Sequence, residues 1–355
     1  VTNQTPLAAG SPQLAPVPFD PEIAPVLEAM AANPQPPMSL ETLPHMRGAG
    51  PAFPGAAEVA AQFTVSYEEL TIAGPAGAPE LEITVFTPTG RAPGTETPAE
   101  QQLLPILVNF HGGGMIVGHR SWEHARVADL VARHTVIGIN VEYRLAPEDP
   151  FPAGVEDNYA ATSWVAQHAA QLGGDPDRLI VMGGSAGGGF AAAVSLMARD
   201  RGGPRIAGQL LLCPMIDNTN STPSSLQYDG IGTWPRDANL LAWRCVLGED
   251  LAFSEQAPAY AAPSRATDLS GLPPALIEVG AAEMFRDENT DYASRIWATG
   301  GQAELHVWSG GCHGFDMYAP ESEIARAALA SRDSWLRRVV GTVVTSPTES
   351  ELQHA

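Results

Sequence analysis

Residues 178–198, RLIVMGGSAGGGFAAAVSLMA, decide the fold of this chain. The first five are an apolar run of strand length. The last eleven, from Gly188, are an apolar run of helix length. Between them lies a turn of glycine and alanine around one serine, Ser185. A Gly-x-Ser-x-Gly pattern is weak by itself in a chain with 35 glycines. Placed between a strand and a helix it describes a nucleophile elbow, a tight turn that lifts the serine hydroxyl above the sheet. Small neighbours are needed because Cβ atoms would collide there. The amide of Ala186, at the start of the helix, would then face a developing oxyanion. The competing reading is a glycine-rich turn that cradles a phosphate or only packs.

The same alternation extends in both directions. Residues 63–72 and 81–86, with AGPAGAP between them, read as an antiparallel strand pair at a sheet edge. Further strands are expected at 104–110, 135–143, 178–182, 207–212, 275–279 and 304–308, and helices at 122–133, 154–171, 185–199, 286–298 and 324–340. Strands alternating with helices predict an α/β protein: a mostly parallel sheet of eight strands with helices on both faces. Residues 217–250 break the alternation, first polar and then aromatic and helical, as a lid would. Residues 1–54 carry 12 prolines, with a short amphipathic helix expected at 21–30 and a second near 56–61. The expected organisation is an N-terminal arm over 1–60, a catalytic domain over 61–345 with its insertion at about 217–250, and a tail over 346–355.

Composition removes several chemistries. Forty acids against 19 bases give a net charge of −21, and every base is arginine. Without lysine there is no Schiff base, no pyridoxal anchor, no P-loop lysine and no Ser-Lys acylation. So negative a field opposes nucleic acid and anionic membranes. No apolar run approaches the ~18 residues of a membrane span. The start, VTNQTPLAAG, does not read as a secretory signal, so a cytoplasmic location is expected. Cys213, Cys245 and Cys312 form neither a disulfide framework nor a CxxC pair, and no HExxH occurs, so no metal is expected. Cys213 and Cys245 read as small buried hydrophobes.

His111-Gly112-Gly113-Gly114 follows the strand LPILVNF. Consecutive glycines let backbone N–H groups converge on one point, so Gly113 and Gly114 are candidate oxyanion donors and His111 a structural residue. His313 stands in a glycine-flanked loop after the last strand and is the candidate base. The orienting acid should follow the preceding strand, where Glu283 is the first candidate and Asp287 the second. Glu288 reads as a helix-surface carboxylate.

HGGG at 111–114, YRLAPE at 143–148, FPA at 151–153, GGSAGG at 183–188, RDE at 286–288 and HGF at 313–315 resemble the hormone-sensitive-lipase-like family of bacterial carboxylesterases. The resemblance covers about residues 60–340. It implies an α/β-hydrolase fold, no cofactor, and a helical cap made from the N-terminal arm and the 217–250 insertion. It implies a Ser185–His313–Glu283 triad, with oxyanion donors at Gly113, Gly114 and Ala186. The family usually carries Asp-Pro-Leu where this chain has Glu283-Met284-Phe285, and often an aromatic residue at the place of Met115. YRLAPE would be architectural, with Arg144 paired to Glu148. The implied partners are a small or medium acyl ester and water. Met115, Tyr228, Trp234, Trp243 and Phe285 are candidate pocket residues. Homodimers through the last strand and helix are common in the family. Two alternatives stay open: a lactonase, amidase or deacetylase with the same triad, and a binding protein on the same fold, like the plant gibberellin receptors, which lack the catalytic histidine.

Overall fold

Leu104–Phe110 (β3), Ile137–Val141 (β4), Gly208–Leu212 (β6) and Ala275–Gly280 (β7) are buried along their whole length. Apolar runs of this kind suit strands covered on both faces. With Val65–Ile72 (β1), Leu81–Pro88 (β2), Gly174–Gly184 (β5) and Ala303–Trp308 (β8) they make one eight-stranded sheet in the order β1-β2-β4-β3-β5-β6-β7-β8. The computed structural model describes residues 14–33, 36–48, 53–89 and 103–341. β2 runs antiparallel to β1 and β4, and every other neighbouring pair is parallel. Between its buried ends, Val65 and Ile72, β1 alternates half-buried and exposed residues, as an edge strand with one wet face should. The other edge, β8, is half-buried.

The expected α/β architecture is therefore present. Because β3, β5, β6, β7 and β8 are parallel, the loops after them leave from one rim, which is where open α/β sheets bind ligands. Helix Ala186–Arg201 runs against the middle of the sheet with residues 186–198 all buried, which explains its lack of a polar face.

Some element bounds moved. The expected helix at 122–133 divides into a 3₁₀ turn, Arg120–Glu123, and a helix, His124–His134. The N-terminal helix begins at Ala24, because Asp20 first closes a turn whose carbonyl accepts the amides of Ile23 and Ala24. Helix Ala56–Phe63 packs with Val65, Phe86, Val127 and Val131 beside the β1 edge. The insertion carries two helices, Pro223–Gln227 and Arg236–Leu251. The N-terminal arm reaches it directly: the Tyr228 hydroxyl donates to the Val17 carbonyl (2.9 Å), and the Gln227 amide to that of Ala15 (2.6 Å). Helix Leu43–Gly48, unexpected from the sequence, brings Arg47 to the carbonyls of Ile116 (2.8 Å) and Ala146 (2.7 Å). The 346–355 tail lies outside the described residues.

The expected Arg144–Glu148 pair does not form. Arg144 grips the fully buried Asp157 with Nε and Nη2 at 2.9 and 2.7 Å, while Glu148 faces solvent and meets Arg47 at 2.9 Å. A forked guanidinium gains more from a buried carboxylate that presents both oxygens.

Candidate active site

Ser185 sits where β5 becomes helix Ala186–Arg201, with φ 57° and ψ −120°. A left-handed φ at a non-glycine residue is strained. It is held by a bond from the Ser185 amide to the Leu212 carbonyl (2.8 Å) and one from the Met215 amide to the Ser185 carbonyl (2.9 Å). Gly187 must be glycine, since a Cβ there would lie 1.9 Å from the Phe110 carbonyl oxygen.

The loop after β8 brings His313 to this turn. Its Nε2 is 3.0 Å from Ser185 Oγ and its Nδ1 is 2.6 Å from Glu283 Oε2. Glu283, in the loop after β7, is almost fully buried and takes the Gly280 amide on its other oxygen at 3.2 Å. With the carboxylate accepting at Nδ1, the ring proton stands on Nδ1 and Nε2 is left to accept from the serine hydroxyl. Burial disfavours an imidazolium, but the neighbouring Cys213 and Glu283 outweigh it and hold the His313 pKa well above 6.5. The Phe285 ring meets the imidazole edge-on, 5.1 Å between centroids.

Asp287 stands apart from the imidazole. Its carboxylate accepts the Ser224 amide at 2.7 Å and pairs with Arg286 at 2.7 Å, tying the insertion to the loop after β7. Glu288 is no surface carboxylate: it is 4% exposed and accepts the amides of Ile216 (2.8 Å) and Asp217 (3.1 Å). Burial, with Asp217 beside it, holds its pKa well above the usual carboxylate range.

The glycine loop after β3 lies against the elbow, and a Cβ on Gly112 would come within 3.6 Å of Ser185 Cβ. Gly113 has φ +113°, and a Cβ there would lie 2.1 Å from the Val117 carbonyl oxygen. Its own carbonyl accepts from Ile116 and Val117, which closes the turn. His111 is wholly buried, stacked on Tyr143 with centroids 4.0 Å apart, with Nδ1 2.8 Å from the Gly112 carbonyl oxygen. Burial pushes its pKa down to about 3, so it stays neutral and braces the loop. Ala186 opens the helix, and its N–H is one of the first-turn amides without an intrahelical acceptor.

Of the candidate pocket residues, Trp234 lies so close to Gly114 that a Cβ there would come within 2.4 Å of its ring. Met115 is buried behind the glycine loop, its Cε facing Gly189. Phe285 packs on His313 as described. Tyr228 is buried toward Val17 and Phe19, and Trp243 is fully buried in the core.

Two residues at the rim escaped the sequence reading. Thr233 donates its hydroxyl to the His313 carbonyl at 2.5 Å. Cys213, read as a buried hydrophobe, is partly buried against the core, and its Sγ lies with Glu283 and His313 ligand atoms inside 4.8 Å.

A family model described as alpha/beta hydrolase fold matches residues 107–317. Carboxylesterase NlhH of Mycobacterium tuberculosis is 38% identical over 263 residues, covering 72% of this chain and 75% of that protein. Among solved structures, a bacterial heroin esterase superposes with a TM-score of 0.79 at 34% identity, covering 91% of this chain and 98% of the other. Esterase LipW of Mycobacterium marinum superposes at 0.78 with 30% identity over 93% and 99% of the two chains. With the motifs at 111–114, 183–188 and 313–315, these matches place the chain in the hormone-sensitive-lipase-like carboxylesterase family of the α/β-hydrolase fold.

Proposed function

We propose that this protein is a serine carboxylesterase that hydrolyses short- to medium-chain esters through Ser185, His313 and Glu283. The observation that carries the reading is the hydrogen-bonded chain from Ser185 Oγ through His313 to Glu283, at 3.0 and 2.6 Å. Nε2 takes the hydroxyl proton as Oγ attacks the ester carbonyl. Glu283 keeps the ring in the required tautomer and stabilises its cation. The amides of Gly113, Gly114 and Ala186 receive the oxyanion, each worth about 10²–10³ in rate. The imidazolium then protonates the leaving alcohol, and water repeats the sequence on the acyl-enzyme.

The insertion and the N-terminal arm act together as a cap. Their mutual hydrogen bonds and the Thr233 contact to His313 support this. Trp234, Met115 and Phe285, which stand around the glycine loop and the imidazole, bound the substrate pocket.

The test is hydrolysis of p-nitrophenyl esters of graded acyl length, with lactones and anilides alongside. Maximal turnover on short or medium esters, and a loss of roughly 10⁴–10⁶ in kcat for Ser185→Ala, is the expected outcome. Near-normal turnover by Ser185→Ala overturns the nucleophile, and a preference for lactones or anilides overturns the substrate class.

A further inference from the structure

The loops after β6, β7 and β8 each deliver a metal-ligating side chain to one place. Cys213 Sγ, a carboxylate oxygen of Glu283 and a ring nitrogen of His313 all lie within 4.8 Å of one another. No spacing in the sequence announces this set, because the three come from three different strand ends. We propose that Cys213, Glu283 and His313 form a binding site for a thiophilic divalent cation, Zn²⁺ foremost, and that its occupation stops hydrolysis.

The donor set selects the ion. Zinc takes thiolate at about 2.3 Å and imidazole or carboxylate at about 2.0–2.2 Å, so tetrahedral ligand atoms stand roughly 3.3–3.7 Å apart. Three atoms inside 4.8 Å reach that arrangement with side-chain movements of about an ångström or less. A thiolate with an imidazole and one carboxylate favours Zn²⁺, Co²⁺ or Cd²⁺ over Mg²⁺ and Ca²⁺, which want oxygen ligands alone. Three protein ligands leave the fourth position open to water. Thiolate and carboxylate together balance the charge of the ion. The thiol proton goes to solvent as the sulfur–metal bond forms, and no electron is transferred.

Cys213 is also the most accessible of the three cysteines: it is partly buried, whereas Cys312 and Cys245 are buried. Its backbone is anchored at φ 39°, with the amide on the Glu278 carbonyl at 2.6 Å, which fixes the Cα beside the β7 loop.

The ion binds through Nδ1, the nitrogen that faces Glu283 at 2.6 Å. The remaining ring proton must then stand on Nε2, which cannot accept from Ser185, and Glu283 leaves its hydrogen bond to the imidazole for the metal. The inhibitory half of the proposal rests on the proposed function, but the binding half does not.

Two measurements on the full chain separate the halves. Co²⁺ titration, followed by absorption, should give a thiolate-to-metal charge-transfer band in the wild type and in Cys312→Ala, and none in Cys213→Ala. Zn²⁺ should inhibit p-nitrophenyl butyrate hydrolysis reversibly, with EDTA restoring the rate. Cys213→Ala should raise the half-inhibiting concentration at least about tenfold, the scale on which removing a group that serves a metal site acts. A wild-type Co²⁺ spectrum without that band overturns the site, and this reading needs no variant to fold. Unchanged Zn²⁺ sensitivity in active Cys213→Ala overturns it equally. A charge-transfer band in a protein with no esterase activity supports the metal site and counts against the esterase reading alone.

Discussion

The Thr233 hydroxyl donates a 2.5 Å hydrogen bond to the carbonyl oxygen of His313. A side chain of the insertion thereby holds the backbone of the residue whose imidazole faces Ser185. The neighbouring Trp234 rests on Gly114, and its indole N–H donates to Asn239 at 3.1 Å. Residues 233 and 234 thus touch both the histidine loop and the glycine loop.

Replacing Thr233 by valine keeps the shape and removes the donor. One hydrogen bond contributes about 1 kcal/mol net, so kcat/KM should fall about five- to tenfold. The fall should lie mainly in kcat, because the bond places the proposed base and not the substrate. Thr233→Ser should restore the rate. Steady-state kinetics on one p-nitrophenyl ester decide the matter, and a change confined to KM contradicts the assignment.

Glu283 and Asp287 compete for the role of orienting acid, and their contacts divide them. Glu283 Oε2 is 2.6 Å from His313 Nδ1, while Asp287 serves the Ser224 amide and Arg286. Glu283→Gln should lower kcat by roughly 10²–10⁴ with little change in KM, the scale seen when a triad acid loses its charge. Asp287→Asn should cost less than about tenfold, through the loosened insertion. The opposite ranking moves the acid to Asp287.

Activity should rise with pH. The proposed base, His313, works only as neutral imidazole, and Cys213 and Glu283 outweigh the effect of burial to hold its pKa well above 6.5. The acid limb of kcat/KM should therefore be centred above 6.5. Removing the charge in Glu283→Gln should move that limb toward acid while its plateau falls. The sign for stability is the reverse of that for activity. A raised folded pKa means the protonated ring favours the fold, so this contribution is full below the unfolded value of about 6.5 and is lost as pH climbs through the folded one. A profile of kcat/KM from about pH 5 to 10 tests the direction.

Much of this site was legible because parallel strands announce themselves. Buried apolar runs at β3, β5 and β7 end in HGGG, GGSAGG and the Glu283 loop, and the shared strand direction forces those ends to one rim. Local signals failed where long-range contacts decide. Nothing near Cys213 says that its neighbours are Glu283 and His313. Glu288 reads in the sequence as a helix-surface carboxylate and is nevertheless buried, because the incoming chain at Ile216 and Asp217 needs an acceptor for its amides. Arg144 likewise chose Asp157, a turn inside the next helix, over the nearer Glu148, because the helix buries the former and solvent keeps the latter.

Beneath the histidine loop, Arg332 reaches from the last helix to the buried Glu278 on β7 with Nε at 2.9 Å, and to Asp316, three residues past His313, with Nη1 at 2.7 Å. Arg126 meets Asp316 from the other side at 3.3 Å and Glu123 at 3.2 Å. Burial alone would raise the Asp316 pKa, but the two guanidinium groups outweigh it and hold the carboxyl far below its ordinary value. Arg332→Met keeps the length of the side chain, strands the buried Glu278 and leaves Asp316 to Arg126 alone, which should cost about 3–5 kcal/mol of stability at pH 7. Part of that penalty should vanish on acidification, since Asp316 without Arg332 takes up a proton at higher pH than in the wild type. Urea denaturation at neutral and mildly acid pH measures both effects: the gap between wild type and variant should be wide at neutral pH and should narrow toward acid. A gap that does not change with pH would mean that the lost packing of the arginine stem, and not the stranded charge, sets the cost.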